Sequence, residues 1–185
     1  EELYGGHVFT VEDLGAPALF IDGTAYELAR MYTRTPSEHS LDGRKYALEM
    51  QLVHAPRGPG THAHTHVAVS LLFDDTERGG EGGKSPAFIS KLAAAAHSAS
   101  AEPRALVEGL HFEDIADAVR GPLKEYFRYP GSLTMPPCTE GTVWFLGRHL
   151  LPVASEDVKR LASLEGANNR PLQPLNGRTI EKVSG

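Results

Sequence analysis

The strongest constraint on this chain is a succession of extended runs cut by turn-forming residues. Asp22-Gly23, a pair suited to a tight hairpin, separates the run 17–21 from the longer run 25–34. The runs 46–54, 66–73 and 142–148 follow, and 7–11 reads as one more, ahead of a Gly15-Ala16-Pro17 turn. The Pro/Gly stretch 57–60 and the glycine-rich polar stretch 74–85 read as loops. Helical character is confined to 88–97 and to a segment opening at Ser155, with Glu156 and Asp157 in its first turn and Leu161 and Leu164 on its inner face. There is no internal repeat. The pattern predicts a mixed α/β fold dominated by a central twisted, mainly antiparallel sheet, with a few short peripheral helices.

Composition narrows the function classes. With 185 residues, 41% apolar and 23% charged, the chain suits a single domain over 1–185 with a real core. A net charge of −6 argues against a nucleic-acid partner, which would need clustered Lys and Arg. No apolar run approaches the roughly 18 residues that span a bilayer. The run 93–96 is short and lies between Lys91 and His97.

Side chains at i and i+2 of a strand share a face. Arg30, Tyr32 and Arg34 therefore point one way, Met31 and Thr33 the other, while Glu49, Gln51 and Val53 share a face of the next strand. A buried Arg34 needs a carboxylate, because an uncompensated buried cation is costly. Glu49 and Glu38 are the two candidates. His62, His64 and His66 alternate in the same way. On an extended segment they would share a face and form a transition-metal site; otherwise they belong to a solvated loop leading into a strand.

Four ordered blocks carry a family resemblance: Gly6-His7-Val8-Phe9-Thr10-Val11, the segment from Thr35-Pro36-Ser37-Glu38-His39 through Asp42-Gly43-Arg44-Lys45-Tyr46, Tyr129-Pro130-Gly131-Ser132-Leu133-Thr134-Met135-Pro136-Pro137-Cys138-Thr139-Glu140, and Asn169-Arg170-Pro171-Leu172-Gln173-Pro174-Leu175-Asn176-Gly177-Arg178. In this order and spacing the chain resembles an α-class carbonic anhydrase, with a Thr-Pro-Ser-Glu-His form closer to bacterial and algal members. The family writes its metal segments as Q-F-H-F-H-T-P-S-E-H and E-L-H-L-V-H. The resemblance therefore puts its three zinc-binding histidines at Tyr32, Arg34 and Gln51. Tyrosine ionises only near pH 10, glutamine is a weak neutral donor, and arginine has no lone pair to give. The metal expectation is accordingly none, and zinc, the family cofactor, is expected to be absent.

The resemblance also implies roles for residues that persist. His7 matches the proton shuttle, Glu38 and Thr134 the pair that orients zinc-bound hydroxide, and His39 and Glu49 the groups that hold the ligands in place. Val53, Val69 and Leu133 match the apolar wall, and Met135 narrows the cone. Glu38, His39 and Thr134 equally suit a buried hydrogen-bonded network. The resemblance further implies a cis Pro136–Pro137 bond, and a disulfide between Cys138 and a cysteine near the start of the family domain. The family carries several strands, including a Q-S-P-I segment, ahead of its G-H-x-x-x-V strand. This part of the family fold is expected to be absent from the chain.

These readings lead to a catalytically inactive carbonic-anhydrase-like protein. Its expected role is a structural or binding subunit of a larger assembly with protein partners, such as an extrinsic lumenal subunit of a photosynthetic membrane complex. An extracytoplasmic setting (secreted, periplasmic or thylakoid lumen) follows from the Cys138 reading. One alternative is a small-anion or bicarbonate pocket on Arg30 and Arg34. The other is a carbonate dehydratase whose metal has moved, for instance to His62, His64 and His66.

Overall fold

Period-two alternation between apolar and polar side chains is resolved in three dimensions as one sheet with two different faces. The computed structural model describes residues 16–75, 83–98, 110–166 and 168–184. The strands are β1 (Leu19–Ile21), β2 (Thr24–Arg34), β3 (Leu48–Pro56), β4 (His66–Asp74), β5 (Glu125–Ser132), β6 (Glu140–Gly147), β7 (Leu151–Pro152) and β8 (Glu181–Ser184). They lie in the order β1-β2-β3-β4-β6-β5-β8, with β7 paired to β4. Pairing is antiparallel except where β4 meets β6 and β7. The mixed, β-dominated, mainly antiparallel architecture expected from the sequence is what the chain adopts. The expected strand 7–11 lies outside the described residues.

Helices α1 (Ala87–Ser98), α2 (Phe112–Arg120) and α3 (Ser155–Glu165) cover one face. The main core forms there: Met31, Leu48, Met50, Leu52, Val69, Leu71 and Phe73 from the sheet meet Phe88, Ile89, Leu92, Ile115 and Leu161 from the helices. Each such side chain contributes about 1.5–3 kcal/mol on full burial. The two helices foreseen near 88–97 and from Ser155 are both present, and Leu164 packs beside Leu161 on the core. Helix α2, absent from the sequence reading, is a single short amphipathic element that fully buries only Ile115.

The opposite face carries the candidate site. Tyr32, Val53, Ala68 and Trp144, one from each of four adjacent strands, form a smaller cluster there, against which Tyr129, Leu133 and Met135 pack. Two cis peptide bonds, Thr35–Pro36 and Pro136–Pro137, shape the loops that cross this face, the second at the place the resemblance implies. Among the described residues no helix is long and apolar enough to cross a membrane.

Candidate functional site

The site is built on the β2–β3–β4 ladder. Tyr32 stands opposite Gln51, Arg34 opposite Glu49, and Gln51 opposite Ser70. Tyr32, Arg34, Gln51 and Val53 are between 1 and 5% exposed, so no open cone reaches them. Side chains fill it: the Arg34 guanidinium lies 5.0 Å over the Tyr32 ring, and Leu133 and Met135 close against Tyr32, Val53 and Trp144.

Four buried or nearly buried ionisable side chains organise the centre. Arg34 Nε is 3.3 Å from Glu38 Oε1, an ion pair whose N–H is not aimed well enough to hydrogen-bond. Glu38 also accepts from Gln51 Nε2 at 2.8 Å and from the backbone N–H of Arg170 at 2.8 Å. Glu49 is fully buried and accepts four hydrogen bonds: from the His39 backbone at 2.8 Å, from His39 Nδ1 at 2.7 Å, from Gln51 Nε2 at 2.8 Å and from Ser70 Oγ at 2.8 Å. Both amide hydrogens of Gln51 are thus spent on carboxylates. His39 Nε2 shares a hydrogen bond with the Tyr129 hydroxyl at 2.5 Å, and the ring lies edge-on to Trp144 at 5.0 Å.

The electrostatics follow from these contacts. Burial alone would raise Glu49 and lower His39. The ion pair between them, with the hydrogen bonds from His39 and Gln51, reverses both directions. Glu49 is held down to about 2, and His39 is held above the ordinary histidine value. Burial raises the Tyr129 phenol, and the nearby Glu49 carboxylate adds to the effect. Arg34 sits against Glu38 and His39 against Glu49, so each carboxylate has one basic partner.

Several sequence expectations need correction here. Val69 does not line the wall with Val53 and Leu133. It pairs with Leu52 and points into the helix-side core, while the residue opposite Val53 is Ala68. Thr134 does not reach Glu38; its hydroxyl is 3.5 Å from Gln51 Oε1, at the limit of a hydrogen bond, so Gln51 stands between the two. Arg30 and Arg34 do not converge on a common pocket. Arg30 is exposed and its Nη1 is 3.5 Å from the Tyr32 hydroxyl, whereas Arg34 is buried against Glu38. His62, His64 and His66 diverge: His62 Nε2 donates to the Gly58 carbonyl, His64 Nε2 meets Asp22, and His66 Nδ1 lies 3.4 Å from Thr65 Oγ1. Among the described residues, no three His, Cys, Asp or Glu side chains gather into a metal-binding group. His7 lies outside the described residues. Cys138 is a partly exposed free thiol.

Trp144, Tyr129 and Arg170 are site residues that sequence reasoning passed over. Trp144 is the one tryptophan in the chain and falls within a run read as a buried strand, which is the signal that could have marked it.

The decisive comparison is with a family model described as eukaryotic-type carbonic anhydrase, which matches residues 23–184. The chain belongs to that family. It is 33% identical to alpha carbonic anhydrase 7 of Arabidopsis thaliana, over 90% of this chain and 57% of that protein. It is also 33% identical to a carbonic anhydrase of Klebsiella pneumoniae, over 89% of this chain and 61% of that protein. The chain thus spans about three fifths of the length of these curated relatives. Among solved structures, the Photobacterium profundum α-carbonic anhydrase superposes with a TM-score of 0.74 at 32% identity, covering 96% of this chain and 75% of that one.

Against the carbonic anhydrase pattern, the donor set at Tyr32, Arg34 and Gln51 does not fit a zinc ion. A catalytic zinc needs three protein lone pairs around an open position. Arg34 offers none and places a fixed positive charge there. Gln51 has only Oε1 left to give. The Tyr32 phenol is buried beneath the guanidinium. The supporting groups do remain: Glu49 still anchors the side chain at position 51, and Glu38 still sits beside position 34.

Proposed function

We propose that this chain is a catalytically silent member of the carbonic anhydrase family that works as a protein-binding subunit of a larger assembly, in an extracytoplasmic compartment. The observation that carries the reading is the Arg34–Glu38 pair. A guanidinium in the middle of the site, 2% exposed and paired to a carboxylate, occupies space and supplies charge where the family's chemistry calls for an exchangeable water on a metal. What survives of the site hydrogen-bonds inward and stiffens the fold. An exposed surface is then left as the part of the molecule able to act. Export rests on the kinship of the Pro136-Pro137-Cys138 segment to family members with a disulfide there.

Metal analysis of the purified natural protein after gentle dialysis, together with a carbon dioxide hydration assay, tests the proposal. The expected result is less than about a tenth of an equivalent of zinc and no hydration above the uncatalysed rate. Near-stoichiometric zinc with hydration activity would overturn it and revive the alternative of a relocated metal centre.

A further inference from the structure

We infer that Trp144 and Tyr129 form a trap for one-electron oxidants, in which an oxidising equivalent entering at Trp144 passes to Tyr129 while the phenol's proton moves to His39. The step uses buried and half-buried side chains of the sheet and holds whether or not the chain is a binding subunit.

A phenol that loses an electron becomes a very strong acid, so a tyrosine is readily oxidised only where a base stands ready for its proton. Glu49 is ionised and can only accept, so the proton between it and His39 Nδ1, 2.7 Å apart, belongs to the imidazole. Neutral His39 then keeps its lone pair on Nε2, the atom 2.5 Å from the Tyr129 hydroxyl. The Tyr129 O–H therefore meets a base whose protonated form is paired with a buried carboxylate. Burial alone would lower His39, but Glu49 outweighs it and holds the imidazole above the ordinary histidine value, which favours arrival of the proton. Burial and the Glu49 and Glu38 carboxylates outweigh the Arg178 guanidinium and keep the Tyr129 phenol protonated until it is oxidised.

Tyr129 and Trp144 stand opposite each other on β5 and β6, their rings 8° from parallel with centroids 6.4 Å apart. Trp144 is 2% exposed, so an oxidant takes an electron from it rather than adding to its ring. Its Nε1–H goes to the Ser132 carbonyl at 3.0 Å, too weak a base to take the proton. The oxidised indole thus keeps its charge and can draw an electron from Tyr129. Tyr32 packs in the same cluster, but the group beside its hydroxyl is the Arg30 guanidinium, which has no lone pair.

The balance is simple. One electron goes from Trp144 to an oxidising radical, which leaves as its anion. One electron then goes from Tyr129 to Trp144 as the O–H proton goes to His39 Nε2. An intact indole, a neutral phenoxyl radical and an imidazolium facing Glu49 remain.

Pulse radiolysis of the natural protein with the azide radical, a one-electron oxidant, tests this. Trp144 is the one tryptophan in the chain, so the indolyl absorption reports it alone. That absorption is expected to decay as phenoxyl absorption grows, at a rate independent of protein concentration and slower in heavy water. The charged groups acting on His39 are Glu49 on β3 and Glu38 on its own loop; Tyr129 and Trp144 beside it are neutral. The rate should fall as the pH drops through the folded value of His39, because Nε2 then already carries a proton. Tyr129→Phe removes the step, His39→Asn slows it about a hundredfold, and Tyr32→Phe leaves it unchanged. Unchanged Trp144 emission confirms that each variant folds. Transfer that persists in Tyr129→Phe, transfer lost in Tyr32→Phe, or an indolyl radical that decays with no phenoxyl formed would each overturn the inference. If a variant does not fold, the natural protein decides: a rate indifferent to both pH and heavy water overturns it.

Discussion

Arg34 lies directly across the β2–β3 ladder from Glu49 yet gives its ion pair to Glu38, four residues along its own chain. The reason is saturation. Glu49 already accepts four hydrogen bonds, from His39 twice, Gln51 and Ser70, and has the His39 imidazole as its basic partner. Glu38 has two neutral donors and no other cation within ion-pair distance among the described residues. Each buried carboxylate ends with one basic partner.

Removing one partner strands the other. Arg34→Met is expected to destabilise the fold by about 3–5 kcal/mol, because Glu38 stays buried without its cation. Arg34→Met with Glu38→Gln should recover much of that loss, since Gln keeps an acceptor for the Arg170 N–H and carries no charge. Denaturant unfolding of the two single variants and the double variant measures the coupling; simple additivity would contradict the pairing.

Histidines at the three positions where the resemblance puts the family's zinc ligands are expected to create a metal site. Tyr32→His, Arg34→His and Gln51→His together place three imidazoles on two adjacent strands, with Glu49 poised to hold the one at position 51. The triple variant is expected to bind about one equivalent of zinc in tetrahedral nitrogen coordination. Elemental analysis and X-ray absorption check this. Failure to bind would show that the backbone itself has moved away from the metal geometry.

Stability should peak near pH 6.5, for reasons that can be separated. Burial holds His54 down to about 4, its Nδ1–H donating to the Val67 carbonyl at 3.2 Å. The unfolded chain therefore takes up this proton first, and stability falls between about pH 6.5 and 4. Glu49, held at about 2, contributes stability that is present above about pH 4.3 and lost as the pH falls toward 2. His39 is raised, so its contribution is full below about 6.5 and is lost as pH rises through its folded value. Unfolding midpoints against pH should lose the 6.5-to-4 limb in His54→Gln and the alkaline limb in His39→Asn.

Gly131 tests how tightly the aromatic floor is packed. A Cβ there would sit 3.0 Å from Trp144 Cδ1 and 3.2 Å from Tyr129 Cε2. Trp144 is fixed by its Nε1–H bond to the Ser132 carbonyl at 3.0 Å and by Ala68 and Val53. Gly131→Ala is expected to cost about 1–3 kcal/mol and to shift Trp144 emission. A neutral result would mean the ring has room to move.

The sheet was legible because β2 and β3 alternate: Arg30, Tyr32 and Arg34 against Met31 and Thr33, and Glu49 and Gln51 against Met50 and Leu52. β4 is buried on both faces from Val67 to Phe73, so alternation says nothing about which of its residues face the site. The resemblance alone put Val69 on the site wall, and alternation could not correct it to Ala68. β5 contains Pro130 and Gly131, which argue against a strand, and a register shift at Gly131 accommodates them. The alternation of His62, His64 and His66 carries no shared face because only His66 is in a strand, the other two lying in the bent approach to it. Arg34's choice between two carboxylates depended on how many donors each already had, which only the folded arrangement supplies.

The parallel seam between β4 and β6 has a kinetic consequence. It joins β1–β4 to β6, β5 and β8, pairing His66 with Thr142 and Ser70 with Leu146. Arg34, Glu38, Glu49 and Gln51 belong to one half, while Thr134, Trp144 and Arg170 belong to the other. Closing this seam costs long-loop entropy before any of its contacts form. A chain with this seam still open keeps the mutual contacts of Arg34, Glu38, Glu49 and Gln51 but leaves them part-solvated, and it presents two unsealed sheets rather than one damaged site.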